Sequence, residues 1–123
     1  MDLLALAGRL MMSAILIESG VFKAMGPAGA IAMMTRYGLP LPELAWVVAV
    51  LIELVGGLVF LVGYKVRPVA VVLAVWCVAT AVIAHLHPGD TNLMIHFMKN
   101  ICMAGGFLQV AAFGAGRFRI GRN

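Results

Sequence analysis

Four long apolar stretches, separated by shorter polar ones, are the most regular feature of the sequence. They cover about residues 3–22, 44–62, 69–85 and 93–113. A helix that crosses a membrane needs about 20 mostly apolar residues, with a range of roughly 17–25. The pattern therefore predicts an all-α membrane protein, a single domain over residues 1–123 in which four transmembrane helices form an up-down-up-down bundle.

The connection between the first two stretches is longer than a tight helix connection requires. Pro27 is placed to begin a short helix that runs through Met34, and Gly38 is placed to end it. The alanine and methionine content of this segment favours an interfacial or re-entrant position at the membrane.

Composition supports the membrane assignment. Of the 123 residues, 63% are hydrophobic and 11% are charged, and the mean hydropathy is +1.05. Soluble domains have about 45–50% apolar and about 25% charged residues. An acidic residue, Asp2, stands where a signal peptide has a basic region, so the first stretch is interpreted as a retained helix.

Basic residues predict the orientation, because cytoplasmic loops carry an excess of lysine and arginine. Lys65 and Arg67 fall on the same side as the C-terminal residues Arg117, Arg119 and Arg122. We therefore expect both termini to lie in the cytoplasm of a bacterial cell, with the protein in the inner membrane. The net charge of +4 follows from this asymmetry, and the basic tail favours anionic lipid headgroups over nucleic acid.

Four charged residues fall inside the predicted spans: Arg9, Glu18, Glu53 and Lys99, with Asn100 beside the last. Counting about 1.5 Å per residue from the span ends, Glu18 and Lys99 have similar depths, and Arg9 has a side chain long enough to reach toward Glu53. We expect these two pairs to form between helices, since an unpaired charge at the bilayer centre costs about 2.5–3.5 kcal/mol or more.

Three interpretations of this intramembrane polar cluster remain open. The ion pairs have a purely structural role and fix the helix register. Alternatively, they line a polar cavity that binds a ligand or carries protons. For Arg9 alone, the guanidinium extends to the cytoplasmic headgroups.

Small residues accompany the charges on each helix. Gly20 follows Glu18, the pair Gly56 and Gly57 follows Glu53, and Gly105 and Gly106 follow Lys99. Glycine lets helices approach closely in membranes. These five glycines are therefore predicted to be helix-packing positions.

The histidines and cysteines give weaker indications of function than the charged residues. His85 and His96 are candidates, together with Lys99, for a ligand or proton site, since imidazole titrates near neutral pH. A metal site is not predicted, because His85 and His87 are two residues apart and lack a matching set of ligands. Cys77 and Cys102 are interpreted as small hydrophobic residues, and the sequence does not show whether either is redox active.

Several motifs resemble the DoxX family of small bacterial four-helix membrane proteins. They are GRLMMSAILIESGVFK, GLPLP, ELVGGLVFLVGYKVRPVA, KNICMAGGFLQV and GAGRF, in the family's order and spacing. By position, the family's polar and glycine signature falls on Arg9, Gly20, Lys23, Glu53, Gly56, Gly57, Gly63, Lys99, Asn100, Gly105, Gly106, Gly116 and Arg117. The residues after Arg117 depart from the aromatic, serine and acidic residues that often close family members.

The resemblance implies a membrane subunit or partner of an oxidoreductase complex. A quinone headgroup would accept hydrogen bonds from Lys99, Asn100 or a histidine, and a partner subunit would supply the redox centre. An independent redox enzyme is not predicted, since the sequence has no nucleotide fingerprint or CxxC motif. The alternatives are a structural or assembly subunit and a small proton-coupled transporter, against which Lys99 argues because it would neutralise a drug-binding glutamate.

Overall fold

The computed structural model describes residues 1–121, so Arg122 of the basic tail lies outside the described residues. The described chain forms five helical segments and contains no strand. They are α1 (Asp2–Met25), α2 (Pro27–Arg36), α3 (Pro42–Val62), α4 (Val66–His85) and α5 (Thr91–Phe113). The prediction of an all-α protein is confirmed.

Two helices contain π-helical stretches, in which the hydrogen-bond spacing widens. In α3 this stretch is Leu51–Gly56, and in α4 it is the last turn, Ala81–His85. Such stretches are rare and often occur at functional sites.

Local chemistry accounts for the helix boundaries. Pro27 and Pro42 occupy the first positions of α2 and α3, where the missing N–H has no intrahelical partner to lose. The Asp90 carboxylate caps α5 by accepting a hydrogen bond from the Leu93 N–H at 3.1 Å. Gly63 ends α3 with a φ of +79°, a conformation that other residues rarely adopt. The short helix predicted from Pro27 to Met34 extends to Arg36, with Gly38 just beyond it.

Three of the described helices, α1, α3 and α4, are long and apolar enough to cross a membrane. Helix α5 has 23 residues but is not in this group, since its N-terminal half carries His96, Lys99 and Asn100. The four predicted stretches each lie within one of the four longer helices.

Helix packing depends on close approaches at glycine. A Cβ at Gly20 would lie 2.8 Å from the backbone nitrogen of Leu54 in α3, and one at Gly57 would lie 3.0 Å from the Ile17 side chain. Gly106 faces Met12, and Gly56 faces Leu73. Gly105 is exposed and nothing in the described chain lies within 4 Å of where its Cβ would be, so its predicted packing role is wrong.

The buried core lies along the α3, α4 and α5 contacts. Phe60 and Phe107 are fully buried and meet edge to face, with ring centroids 5.0 Å apart. Leu73, Ala74 and Cys77 of α4 pack into the same cluster.

The C-terminal segment folds back over one end of the helices, which we call the terminal end. The Arg117 N–H donates to the Asp2 carboxylate at 3.0 Å, and the Ile120 N–H donates to the Val62 carbonyl at 2.9 Å. Arg9 is only 1% exposed and donates to the carbonyls of Leu61 and Phe118. The beginning of α1 and the residues after α5 are thereby held together at the terminal end.

Candidate functional site

A cavity of about 590 Å³ lies at the end of the molecule opposite the terminal end. All five helices contribute to its walls, together with the loop between α2 and α3. Apolar side chains form most of the lining, and the polar lining residues are Ser19, Lys23, Tyr37, Glu53, Thr80, His85, Lys99 and Asn100. This combination of apolar walls and a few polar groups is typical of small-molecule sites.

An ion pair between α1 and α3 forms one polar wall. The Lys23 ammonium donates to both Glu53 carboxylate oxygens, at 3.0 and 2.8 Å. It also donates to the Ser19 hydroxyl at 2.7 Å, and that hydroxyl donates to Glu53 at 3.1 Å. Glu53 is buried, with 6% of its surface exposed, and the Lys23 ammonium balances its charge inside the protein.

The sequence of α1 positions this pair. Ser19 and Lys23 are four residues apart and so occupy the same helix face. Gly20 lets the α3 backbone approach at Leu54, which brings the neighbouring Glu53 against that face. The Trp46 indole N–H donates to the Lys23 carbonyl at 2.8 Å and fixes the end of α1 against the start of α3.

The opposite polar wall consists of residues from α4 and α5. The Asn100 amide donates to the Thr80 hydroxyl at 3.1 Å, and that hydroxyl donates to the Trp76 carbonyl at 2.9 Å. Lys99 lines the cavity, is exposed, and makes no ion pair within residues 1–121. Lys23, the other lysine of the cavity, is paired with Glu53.

His85 lies at the end of the π-helical turn of α4. Its ring centroid is 5.5 Å from that of His96, which is therefore beside the site although it does not line the cavity. The Nδ1 atom of His85 is buried and finds no hydrogen-bond partner in the described part of the chain. A bound molecule with a polar headgroup would satisfy such an atom.

Helix α2 and the following loop cover the cavity. Met33 and Met34 line it from α2, and the segment Leu39, Pro40 and Leu41 lines it from the loop. Tyr37 lies between them, and burial raises the pKa of its phenol above the ordinary 10.0, partly offset by the nearby Arg36. The segment predicted to be interfacial or re-entrant thus forms a wall of the cavity.

The predicted pair of Glu18 and Lys99 is wrong. Glu18 is exposed on the outer face of α1, and no ion pair joins it to Lys99 among the described residues. Successive residues of an α-helix are about 100° apart, so Glu18 points away from the face that carries Ser19. Equal depth along the membrane normal does not determine the direction in which a side chain points around its helix.

The predicted contact between Arg9 and Glu53 is also wrong. Arg9 is level with Phe60 and Leu61, whose carbonyls accept its hydrogen bonds. Seven residues, or about 10 Å of helix, separate Phe60 from Glu53. The guanidinium does not extend to solvent either, since it is buried beneath the C-terminal segment.

The structure therefore brings together only part of the predicted cluster. Glu53, Lys99, Asn100 and His85 line one cavity, whereas Arg9 and Glu18 lie elsewhere. Lys23 was predicted only as part of the family's polar signature, and Ser19, Thr80 and Tyr37 had no predicted role. The four-residue spacing of Ser19 and Lys23, on the same face as the buried Leu16, is the sequence signal that could have identified Lys23 as the partner of Glu53.

Comparison of the sequence with known proteins identifies one family. The DoxX family model matches residues 4–86. The chain is 36% identical to the inner membrane protein YphA of Escherichia coli (strain K12), over 97% of the chain and 89% of that protein. It is 34% identical to the inner membrane protein YqjF of the same organism, over 98% of the chain and 92% of that protein. No solved structure matches the chain. The chain belongs to the DoxX family.

Proposed function

We propose that this protein is the membrane subunit of an oxidoreductase complex and binds a quinone in the cavity between its helices. The observation that carries this proposal is the cavity itself, whose apolar walls converge on Lys99, Asn100 and His85. A quinone has an apolar tail and two carbonyl oxygens that accept hydrogen bonds. The Lys99 ammonium and the Asn100 amide are donors of the kind that those oxygens require.

The electrostatics of the site favour an acceptor over a cation. Lys23 and Glu53 neutralise each other at 2.8 Å, and Lys99 adds a positive charge near the same space. A partly reduced, negatively charged headgroup would be stabilised by that charge. Because the chain itself supplies no redox cofactor motif, the electrons would come from a partner subunit.

In the proposed topology, α5 is the fourth transmembrane helix and both termini are cytoplasmic. Its 23 residues extend about 34 Å, which is enough to cross a hydrocarbon core of about 30 Å. The contact between Asp2 and Arg117 supports an even number of crossings, because it joins the start of α1 to the segment after α5. Arg67 and Arg119 add positive charge near that end, and the names of the two relatives point to the inner membrane.

Tryptophan fluorescence tests quinone binding directly. Trp76 lines the cavity, and a Trp46→Phe background leaves it as the remaining tryptophan of the two in the chain. Titration of the detergent-solubilised protein with decylubiquinone is expected to quench Trp76 to a saturating level. Lys99→Met should weaken this binding several-fold, whereas Lys65→Met, in the exposed connection after α3, should not.

A cavity-filling variant separates binding from simple partition into detergent. Ala45 lines the cavity, and Ala45→Phe would occupy part of its volume. Quenching that increases linearly with quinone, or that is unchanged from the Trp46→Phe parent in both Ala45→Phe and Lys99→Met, would contradict the proposed site.

A structural or assembly subunit is the second candidate, and the closed pair of Lys23 and Glu53 favours it. Copurification from mild detergent, followed by quinone reduction assays on the recovered complex, distinguishes the two functions. If the protein binds quinone for the complex, Lys99→Met abolishes quinone-dependent turnover while the complex remains intact. If its role is assembly, the same substitution lowers partner recovery and leaves turnover per complex unchanged.

A further inference from the structure

Two exposed side chains of opposite charge lack ion-pair partners within residues 1–121. Glu18 lies on the outer face of α1 and Lys99 on α5, and both are in the membrane-facing part of the protein under the proposed topology. The surroundings of Glu18 are apolar and exposed, with Phe22 at 78% and Met25 at 82%. A carboxylate in such surroundings is stabilised only by protonation or by a cation from another molecule.

Glu18 and Lys99 are level with each other along the helix axes. Met12 of α1 faces Gly106 of α5, and Asp2, at the start of α1, accepts a hydrogen bond from Arg117, which follows the C-terminal end of α5. The two helices are therefore antiparallel. Glu18 is six residues after Met12 in α1, and Asn100 is six residues before Gly106 in α5. Glu18 is therefore level with Asn100 and within one residue of Lys99 along the helix axes.

From this arrangement we infer that two copies of the chain associate around a two-fold axis along the membrane normal, with Glu18 of each copy paired to Lys99 of the other. A rotation about that axis preserves depth, so the partner's Glu18 is at the level that Lys99 requires. A two-fold interface is self-complementary, and each contact therefore occurs twice. Complementary charge at matched depth distinguishes this occupant from lipid, which offers no cation at that level.

The faces that would meet are contiguous with the charges. Exposed apolar side chains flank Glu18 on α1 and Lys99 on α5, and they include Met11, Phe22, Ile95, Met98 and Cys102. In the membrane such faces associate through packing and polar contacts, because lipid tails already satisfy apolar surface. The two ion pairs supply the polar contacts.

The pairing also adds a residue to the wall of the cavity. Lys99 lines the cavity, so Glu18 of the second copy would lie at the border of that cavity. An ammonium has three donors, and one salt bridge leaves donors for a second acceptor. Association of the copies does not depend on the proposed quinone, and it is measured without any ligand.

Disulfide cross-linking between differently tagged copies tests this inference in native membranes. The background is the full chain with Cys77→Ala and Cys102→Ser. One tagged chain carries Glu18→Cys and the other carries Lys99→Cys, and copper phenanthroline catalyses air oxidation. The expected result is a disulfide-linked dimer that contains both tags.

A depth-matched control is available on α4. Val82 is 51% exposed and lies two residues beyond Thr80, which hydrogen-bonds to Asn100. The pair of Glu18→Cys and Val82→Cys chains should cross-link several-fold less than the Glu18→Cys and Lys99→Cys pair. Equal cross-linking in both pairs, or none in the first pair, would overturn the two-fold association.

Charge reversal keeps the inference testable where cysteine perturbs the helices. We expect Glu18→Lys alone and Lys99→Glu alone to lower the recovery of one tag with the other several-fold. The chain that carries both reversals should restore recovery, since each copy then supplies the complementary charge. Full recovery in both single variants would also overturn the association.

Discussion

The Lys23 ammonium at the end of α1 lies 2.8 Å from the Glu53 carboxylate in the π-helical stretch of α3. Only 15% of the lysine side chain and 8% of the glutamate side chain are exposed. The two charges therefore hold the end of α1 against the middle of α3 and form one wall of the cavity.

Removing one member of this pair should destabilise the protein. Lys23→Met leaves the Glu53 carboxylate buried without its cation, and breaking a buried pair in this way costs about 3–5 kcal/mol. Thermal unfolding in detergent, followed by circular dichroism, measures the change. The double variant Lys23→Met with Glu53→Gln should recover part of the loss; a double variant less stable than the single one would contradict this account.

Alanine should have different effects on the free energy of unfolding at Gly20, which is in close contact with α3, and at Gly105, which is not in contact with another helix of the described chain. A methyl group at Gly20 would lie 2.8 Å from the Leu54 backbone nitrogen, so Gly20→Ala should lower the free energy of unfolding by about 1–3 kcal/mol. Gly105 is the matched control, since its Cβ position is open. There, alanine should be neutral or stabilise the helix by up to about 1 kcal/mol. Equal destabilisation by both substitutions would mean that α1 and α3 are not in close contact.

Arg9 should protect the C-terminal segment from protease, because it donates a hydrogen bond to the Phe118 carbonyl. Its guanidinium donates to carbonyls of both α3 and Phe118, an arrangement that the single ammonium of lysine does not reproduce. In Arg9→Lys, we expect trypsin to cleave after Arg117 and Arg119 several-fold faster than in the native chain. Arg67→Lys, at an exposed position, is the control. Mass spectrometry of the released peptides gives the rates, and unchanged rates in Arg9→Lys would show that the hydrogen bonds of Arg9 do not hold the segment.

The raised pKa of Tyr37 predicts a loss of stability at alkaline pH. Burial favours the neutral phenol in the folded protein, so the folded state holds its proton above the ordinary pKa of 10.0. Below that value both states are protonated and the folded state loses nothing. As the pH rises above it, the unfolded state releases its proton first and the free energy of unfolding falls.

Thermal unfolding as a function of pH tests this behaviour. Tyr37→Phe should be less sensitive than the native protein above pH 10.0, whereas substitution of the exposed Tyr64 by phenylalanine should not change the alkaline limb. Identical alkaline limbs in the native protein and Tyr37→Phe would argue against a buried phenol over the cavity.

The helices and the residues of the site were predictable to different extents. Apolar length gave the helices, since hydropathy and proline positions are local properties of the chain. Counting residues gave positions along each helix, and Lys99 and Asn100 lie in the N-terminal half of α5, in the wall of the cavity. The direction in which a side chain points around its helix depends on packing. For that reason Glu18 lies on the outer face of α1 and does not pair with Lys99.

Lys23 shows most clearly what the sequence obscured. It lies near the end of an apolar stretch, where a lysine is ordinarily explained by the membrane interface. Its role depends on the close approach of α1 and α3 at Gly20 and on the indole of Trp46, which are tertiary features. The π-helical stretch that contains Glu53 likewise has no signal in the sequence.

The contact of Arg9 with Phe118 at the terminal end links the order of synthesis to the completion of folding. Arg9 emerges from the ribosome early, whereas its acceptor at Phe118 is 109 residues later in the chain. During most of translation the first helix carries a cation whose final partner does not yet exist. Burial of the Arg9 charge is therefore completed only after the segment around Phe118 has been made, and a nascent chain that stops short of that segment leaves the guanidinium without this acceptor.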